Sequence, residues 1–183
     1  MSKVCIVTGA SRGLGRGIAK VLAEERSATV YATARSEAAL NDLASSIKGD
    51  TGVIHPVILD QSDDSAVEKF ITTVAEKEGR IDLLVNSAYG GFTAMTPHFG
   101  KPFWERPISV FDASIDIGLR SAFVSSAIVA PHMVSQKSGL IVQVSSFGGH
   151  SYLFDVGYGV GKAGLDRLSA DMATELSEHG VKS

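Results

Sequence analysis

The chain has 183 residues, 44% of them apolar and 20% charged, with a formal net charge of −3, which is the composition of one ordinary globular domain. Acids and bases are interspersed without a basic stripe, so neither nucleic acid nor an anionic membrane is an expected partner. Cys5 is the only cysteine; it excludes an internal disulfide and, inside an apolar run, reads as a small core residue of a reducing compartment.

Lys3 leads directly into a strand-like segment rather than a signal peptide. No run reaches the ~18 apolar residues that a membrane span needs. The nearest, residues 122–134, contains Ser125, Ser126, Pro131 and His132 and reads as a buried helix. No transmembrane segment and an intracellular, cytoplasmic setting are therefore expected.

Short β-branched runs alternate with helical patterns. Residues 4–7 form a first strand, and residues 13–25 a helix with Leu14, Ile18, Val21 and Leu22 on one face. Residues 28–33 form a second strand, followed by a helix over 37–47, and residues 53–59 form a third. Ser62 is the expected N-cap of the next helix, with Asp63 and Asp64 in a first turn where negative charge suits the helix dipole. Residues 81–85 and 140–144 supply two more strands, each followed by a helix of about 20 residues. Before the first of these helices runs a loop over 87–107, long enough to suggest a functional role. Its Phe99, Phe103 and Trp104 either wall a substrate pocket or make the loop's own small core. Continuously apolar strands alternating with helices predict a parallel sheet covered on both faces. The expected fold class is thus α/β, a Rossmann-like doubly wound sheet in the order 3-2-1-4-5, with ligands at the carboxyl ends of the strands.

After the first strand comes Thr8-Gly9-Ala10-Ser11-Arg12-Gly13-Leu14-Gly15, opening directly into a helix. Gly9, Gly13 and Gly15 permit a tight strand-to-helix turn, and the backbone N–H groups from Ser11 to Leu14 face where a pyrophosphate would lie. At the end of the second strand, where an acid would bind the ribose 2′-hydroxyl of NAD, stands Thr33-Ala34-Arg35. Arg35 together with Arg12 suits a 2′-phosphate instead, so NADP(H) is the expected cofactor. Asp60 ends the third strand, placed either for an adenine amino group or as an ordinary loop opener. Asn86 ends the fourth, placed either at the cofactor ribose or as a clamp on neighbouring backbone. The five histidines have no ligand spacing, and no metal site is expected.

Tyr158 and Lys162, four apart, share one helix face. A lysine cation beside a tyrosine stabilises the phenolate and so equips the phenol for proton transfer near neutral pH. A serine hydroxyl at the end of strand five, Ser145 or Ser146, would hold a substrate oxygen at the same sheet edge. A spacing of 13 residues before the tyrosine gives Ser145 and strand register gives Ser146; Ser146 is preferred, because register is harder to shift than loop length.

In order and spacing, Thr8-Gly9-x-x-x-Gly13-x-Gly15, Asp60, Asn86-Ser87-Ala88-Tyr89-Gly90, Ser145-Ser146 and Tyr158-Gly159-Val160-Gly161-Lys162 resemble the short-chain dehydrogenase/reductase family over the whole chain. The resemblance implies an NADP(H)-dependent oxidoreductase that reduces a small-molecule carbonyl, a ketone or aldehyde of steroid-like or xenobiotic kind, to the alcohol. Tyr158 would donate the proton, and Lys162 would also bind the nicotinamide ribose. It further implies a homodimer or homotetramer through the long helices flanking strand five, and admits a peripheral association with the endoplasmic reticulum. Two departures stand out. Where the family pattern Val-Asn-Leu-Lys-Gly carries an asparagine, this chain has Gly118. Where the pattern Asn-Asn-Ala-Gly ends in glycine, it has Tyr89. The segment Gly180-Val181-Lys182-Ser183 reads as the approach to a sixth strand. The expectation is a single domain, residues 1–183, lacking the family's C-terminal strands and substrate lid, with strand five left as an exposed edge. The alternative expectation is a cofactor-binding but catalytically impaired form that acts as an interaction protein.

Overall fold

A computed structural model describes residues 2–48 and 52–183. Six parallel strands form one sheet in the order β3-β2-β1-β4-β5-β6: β1 Val4–Thr8, β2 Thr29–Ala34, β3 Val53–Ile58, β4 Leu83–Asn86, β5 Gly139–Gln143 and β6 Val181–Lys182. The pairing of β1 runs from Val4 opposite Thr29 to Thr8 opposite Thr33 on one side, and from Cys5 opposite Leu83 to Val7 opposite Val85 on the other. The order reverses between β1 and β4, which opens the crevice where doubly wound sheets take ligands.

All five residues of β1 are buried because helices cover it on both faces. Cys5 and Val7 point into a core with Val30, Leu40 and Leu43 under α1 (Gly13–Arg26) and α2 (Glu37–Ser45). Val4 and Ile6 point into the opposite core, with Ile71, Leu84, Met133 and Ile141, under α3 (Asp64–Glu78) and the helices before and after β5. On the α1 face the cover thins beyond β1. There, at the amino ends of the strands, an open groove of about 420 Å³ is lined by Cys5, Leu22, Leu83 and Leu140, so the expected two-sided cover is incomplete over β4 and β5.

Several local expectations change. The buried face of α1 is Gly15, Ala19 and Ala23, not Leu14 and Val21, which are exposed. The helix lies too close to the turn for larger side chains, since a Cβ on Gly15 would stand 2.6 Å from the Gly9 carbonyl oxygen. The N-cap of α3 is Asp63, which accepts from the Ala66 N–H, whereas Ser62 donates to Asp60. The long loop is partly helical, with α4 at Gly91–Met95 and short 3₁₀ turns at Thr96–His98 and Phe103–Glu105. Strand five is not the sheet edge, because β6 pairs Val181 with Gly139 and Lys182 with Leu140.

The helix before β5 is continuous from Ile108 to Gln136. It begins as α5 (Ile108–Ser114), widens into a π-helical segment at Ile115–Arg120 and continues as α6 (Ser121–Gln136). By length and composition alone it would suffice to cross a membrane. It instead lies against the sheet, with Ser125, Ser126, Val129 and Met133 buried beneath it. The helix after β5, α7 (Val156–Leu176), completes this layer.

Candidate active site

The turn from β1 into α1 is built by glycine. Gly9 has φ +69° and a Cβ there would stand 2.7 Å from the Ala88 Cα, so the turn packs directly on the segment that leaves β4. Gly13 has φ +57°, and a Cβ there would meet nothing within 4 Å, which places it on the open side. Arg12 is the N-cap residue in extended conformation, with no side chain capping the helix and no acid in its first turn. The positive end of the helix is thus uncapped, an arrangement that could hold an anionic group such as a pyrophosphate. Ser11 is half-buried in this turn, and Leu14 is exposed beside it. The Ala10 N–H donates to the Thr33 carbonyl at 3.0 Å, tying the turn to the end of β2, where Arg35 follows. Arg12 and Arg35 are both exposed, and among the described residues neither forms an ion pair.

Asp60, also exposed, accepts from the Ser62 N–H at 2.9 Å and the Ser62 hydroxyl at 2.8 Å. Those two bonds, more than the nearby Arg35 charge, hold its carboxyl below the usual carboxylate range. Asn86 is buried and turns its amide towards α6, donating to the Ala122 carbonyl at 3.3 Å and the Ser126 hydroxyl at 3.0 Å. Its backbone carbonyl accepts from the Val144 N–H at 3.0 Å. The clamp on neighbouring backbone is the arrangement its described partners make.

At the carboxyl end of β5 the Tyr158 hydroxyl donates to the Ser146 Oγ at 2.8 Å, and the same oxygen accepts from the Gly148 N–H at 3.1 Å. The Ser145 hydroxyl turns away and donates to the Lys162 carbonyl at 3.3 Å. Of the two serines, Ser146 is the one that meets the tyrosine. Lys162 is buried beneath, its ammonium donating to the Val144 carbonyl at 2.7 Å and lying 5.8 Å from the centroid of the Tyr158 ring. Burial lowers its pKa from the ordinary lysine value, and the charge of Asp166 opposes that fall.

Tyr158 is fixed by a residue the sequence did not single out. Asp155 is the N-cap of α7 and accepts from the Tyr158 N–H at 2.7 Å. Its other oxygen lies 3.0 Å from Arg106, both side chains being almost fully buried. The two atoms approach without hydrogen-bond alignment, so the contact is an ion pair. It joins the end of the long loop to the start of α7. Phe92 and Phe154 were likewise not anticipated. Their rings lie 5.8 and 5.1 Å from that of Tyr158. Phe154 has φ +65°, a strained backbone for a bulky residue, of the kind that clusters at functional sites. Phe99 reaches this cluster through Phe154 at 6.2 Å, whereas Phe103 and Trp104 stack edge-on against each other and are exposed. The loop aromatics therefore divide, one to the site and two to the surface.

A glycine-rich turn at the switch point of a doubly wound parallel sheet, with a Ser–Tyr–Lys constellation at the same sheet edge, defines a nucleotide-binding oxidoreductase of the Rossmann type. The short chain dehydrogenase family model matches residues 3–183, and the chain belongs to the short-chain dehydrogenase/reductase family, whose members bind a nicotinamide cofactor. It is 47% identical over 180 residues to dehydrogenase/reductase SDR family member 1 of Mus musculus and 45% identical over 180 residues to that of Homo sapiens. In each case 98% of this chain aligns with 57% of the relative, so the chain spans little more than half the length of either. Among solved structures it is similar to a metagenomic short-chain oxidoreductase in complex with NADP, with a TM-score of 0.87 and 33% identity, over 98% of this chain and 78% of that one.

Proposed function

We propose that this chain uses NADPH to reduce an apolar ketone or aldehyde to the alcohol. The observation that carries the reading is the hydrogen bond from the Tyr158 hydroxyl to Ser146, set above the buried ammonium of Lys162. A substrate carbonyl oxygen entering between the two hydroxyls accepts from both, which polarises its carbon. Tyr158 then gives its proton to that oxygen, and the Lys162 cation stabilises the phenolate left behind. Reduced nicotinamide, when bound, supplies the hydride that the carbonyl carbon receives.

Three features suit a dinucleotide: the uncapped end of α1, the open side of Gly13 and the absence of an acid at the end of β2. The exposed guanidinium groups of Arg12 and Arg35 would pair with a 2′-phosphate and favour NADPH over NADH. The aromatic wall of Phe92, Phe99 and Phe154 beside Tyr158 supports an apolar substrate. Exposed Phe123 on α6 and Val160 on α7 suit burial against a second copy of the chain, in a homodimer or homotetramer.

The test is NADPH oxidation against a panel of apolar ketones and aldehydes, with Tyr158→Phe beside the parent chain. Loss of the proton donor is expected to lower kcat by about 10²-fold or more. Undiminished turnover in Tyr158→Phe would refute the role given to the phenol.

A further inference from the structure

The two departures from the family pattern meet in space. A Cβ on Gly118 would stand 3.1 and 3.3 Å from the Cδ2 and Cε2 atoms of Tyr89, so the ring of Tyr89 occupies the space into which a side chain at position 118 would grow. A Cβ on Gly91 would stand 2.2 Å from the Tyr89 hydroxyl oxygen, so that glycine too is required by this ring. The Tyr89 and Ser114 hydroxyls share a hydrogen bond of 3.0 Å, and Ser114 donates onward to the Val110 carbonyl at 3.3 Å. Two glycines and a buried serine thus form a seat for one aromatic side chain. What that side chain faces is the catalytic pair. The Lys162 ammonium lies 5.1 Å from the Tyr89 ring centroid, closer than to the Tyr158 ring, and the Tyr89 and Tyr158 rings meet edge to face at 5.6 Å and 87°.

We propose that Tyr89 is the positioning residue for Lys162, its π face holding the lysine ammonium from the space left by Gly118. A cation within about 6 Å of a ring centroid is attracted by the ring quadrupole, more strongly where water is excluded. Burial pushes the Tyr89 phenol up to about 12, so the ring stays neutral and acts through its face. The other groups around the ammonium are the Val144 carbonyl, the Tyr158 ring and Asp166 one turn along α7, which His150 approaches at 3.6 Å. Asp155, paired with Arg106, faces Tyr89 itself.

The role in turnover rests on the carbonyl-reductase reading; the hold on Lys162 does not. The experiment compares Tyr89→Phe, which keeps the π face, with Tyr89→Leu, which fills the seat without one. Lys162 is titrated by the pH dependence of its acetylation rate, read by mass spectrometry on the full chain without cofactor or substrate. Tyr89→Phe is expected to leave the titration in place. Tyr89→Leu is expected to lower it further, by about half a pH unit, and to reduce kcat severalfold with little change in KM. Gly118→Ala, which touches the ring and not the lysine, is expected to move the titration in the same direction as Tyr89→Leu. Equal titrations in Tyr89→Phe and Tyr89→Leu would overturn the proposal. If the titration moves as expected but Tyr158→Phe keeps full turnover, the positioning of Lys162 stands and the reductase reading fails.

Discussion

Lys162 carries a charge into a place with one carbonyl and two ring faces for company. Its pKa is lowered chiefly by burial, so the charged form opposes folding. The sign follows from linkage. Between the lowered folded value and the unfolded value of ~10.4, the unfolded chain binds more protons, and stability rises with pH. Replacing Lys162 with Met removes that contribution. The difference in melting temperature between the parent and Lys162→Met is therefore expected to move in the parent's favour as the pH is raised towards the unfolded value of ~10.4. A difference that stays constant across that range would contradict the lowered titration. Tyr158 and Lys162 were legible in the sequence because a four-residue spacing fixes one helix face. Between Ser145 and Ser146, strand register pointed to Ser146, the serine that meets the Tyr158 hydroxyl, whereas counting back 13 residues from the tyrosine pointed to its neighbour, which faces the other way.

The element that most directly orients the site is α7, and its first turn is held from outside. Asp155 caps the helix at the Tyr158 N–H and is neutralised by Arg106 from the far end of the long loop. Removing one partner of a buried ion pair leaves an uncompensated charge and costs about 3–5 kcal/mol. Arg106→Met is expected to lose that much stability in chemical denaturation and to lower turnover as the cap loosens. A loss below about 1 kcal/mol would show that the pair is not structural. Nothing in the sequence pointed to Arg106, because the partners lie 49 positions apart in loops where periodicity carries no information. The face of α1 was misread for a related reason. Hydrophobic spacing selects Leu14 and Val21, but close approach to the turn selects Gly15, Ala19 and Ala23, a constraint visible only once helix and turn are in contact.

At the scale of the molecule, strand order and the place of the crevice followed from the alternation of apolar strands and helices, because right-handed crossovers leave few ways to wind a parallel sheet. The partnership of β5 with β6 did not, since a two-residue strand is too short for any periodic signal. The Tyr89–Gly118 exchange was visible only as two unrelated oddities, 29 positions apart, until the fold placed one in the space of the other. What the sheet edge assembles is a glycine-rich turn, two exposed arginines and the Ser146–Tyr158–Lys162 site, and the roles proposed for all of them presuppose that NADPH seats there. Thermal unfolding of the chain with NADPH and, separately, with NADH tests this without knowledge of the substrate. At 100 times its dissociation constant a ligand stabilises by about 2.7 kcal/mol, roughly 5–10 °C for a domain of this size. The expected result is a shift of that order with NADPH, a much smaller one with NADH at the same concentration, and loss of the difference in Arg35→Asp. An equal or larger shift with NADH, or a transition that neither nucleotide moves, would contradict it.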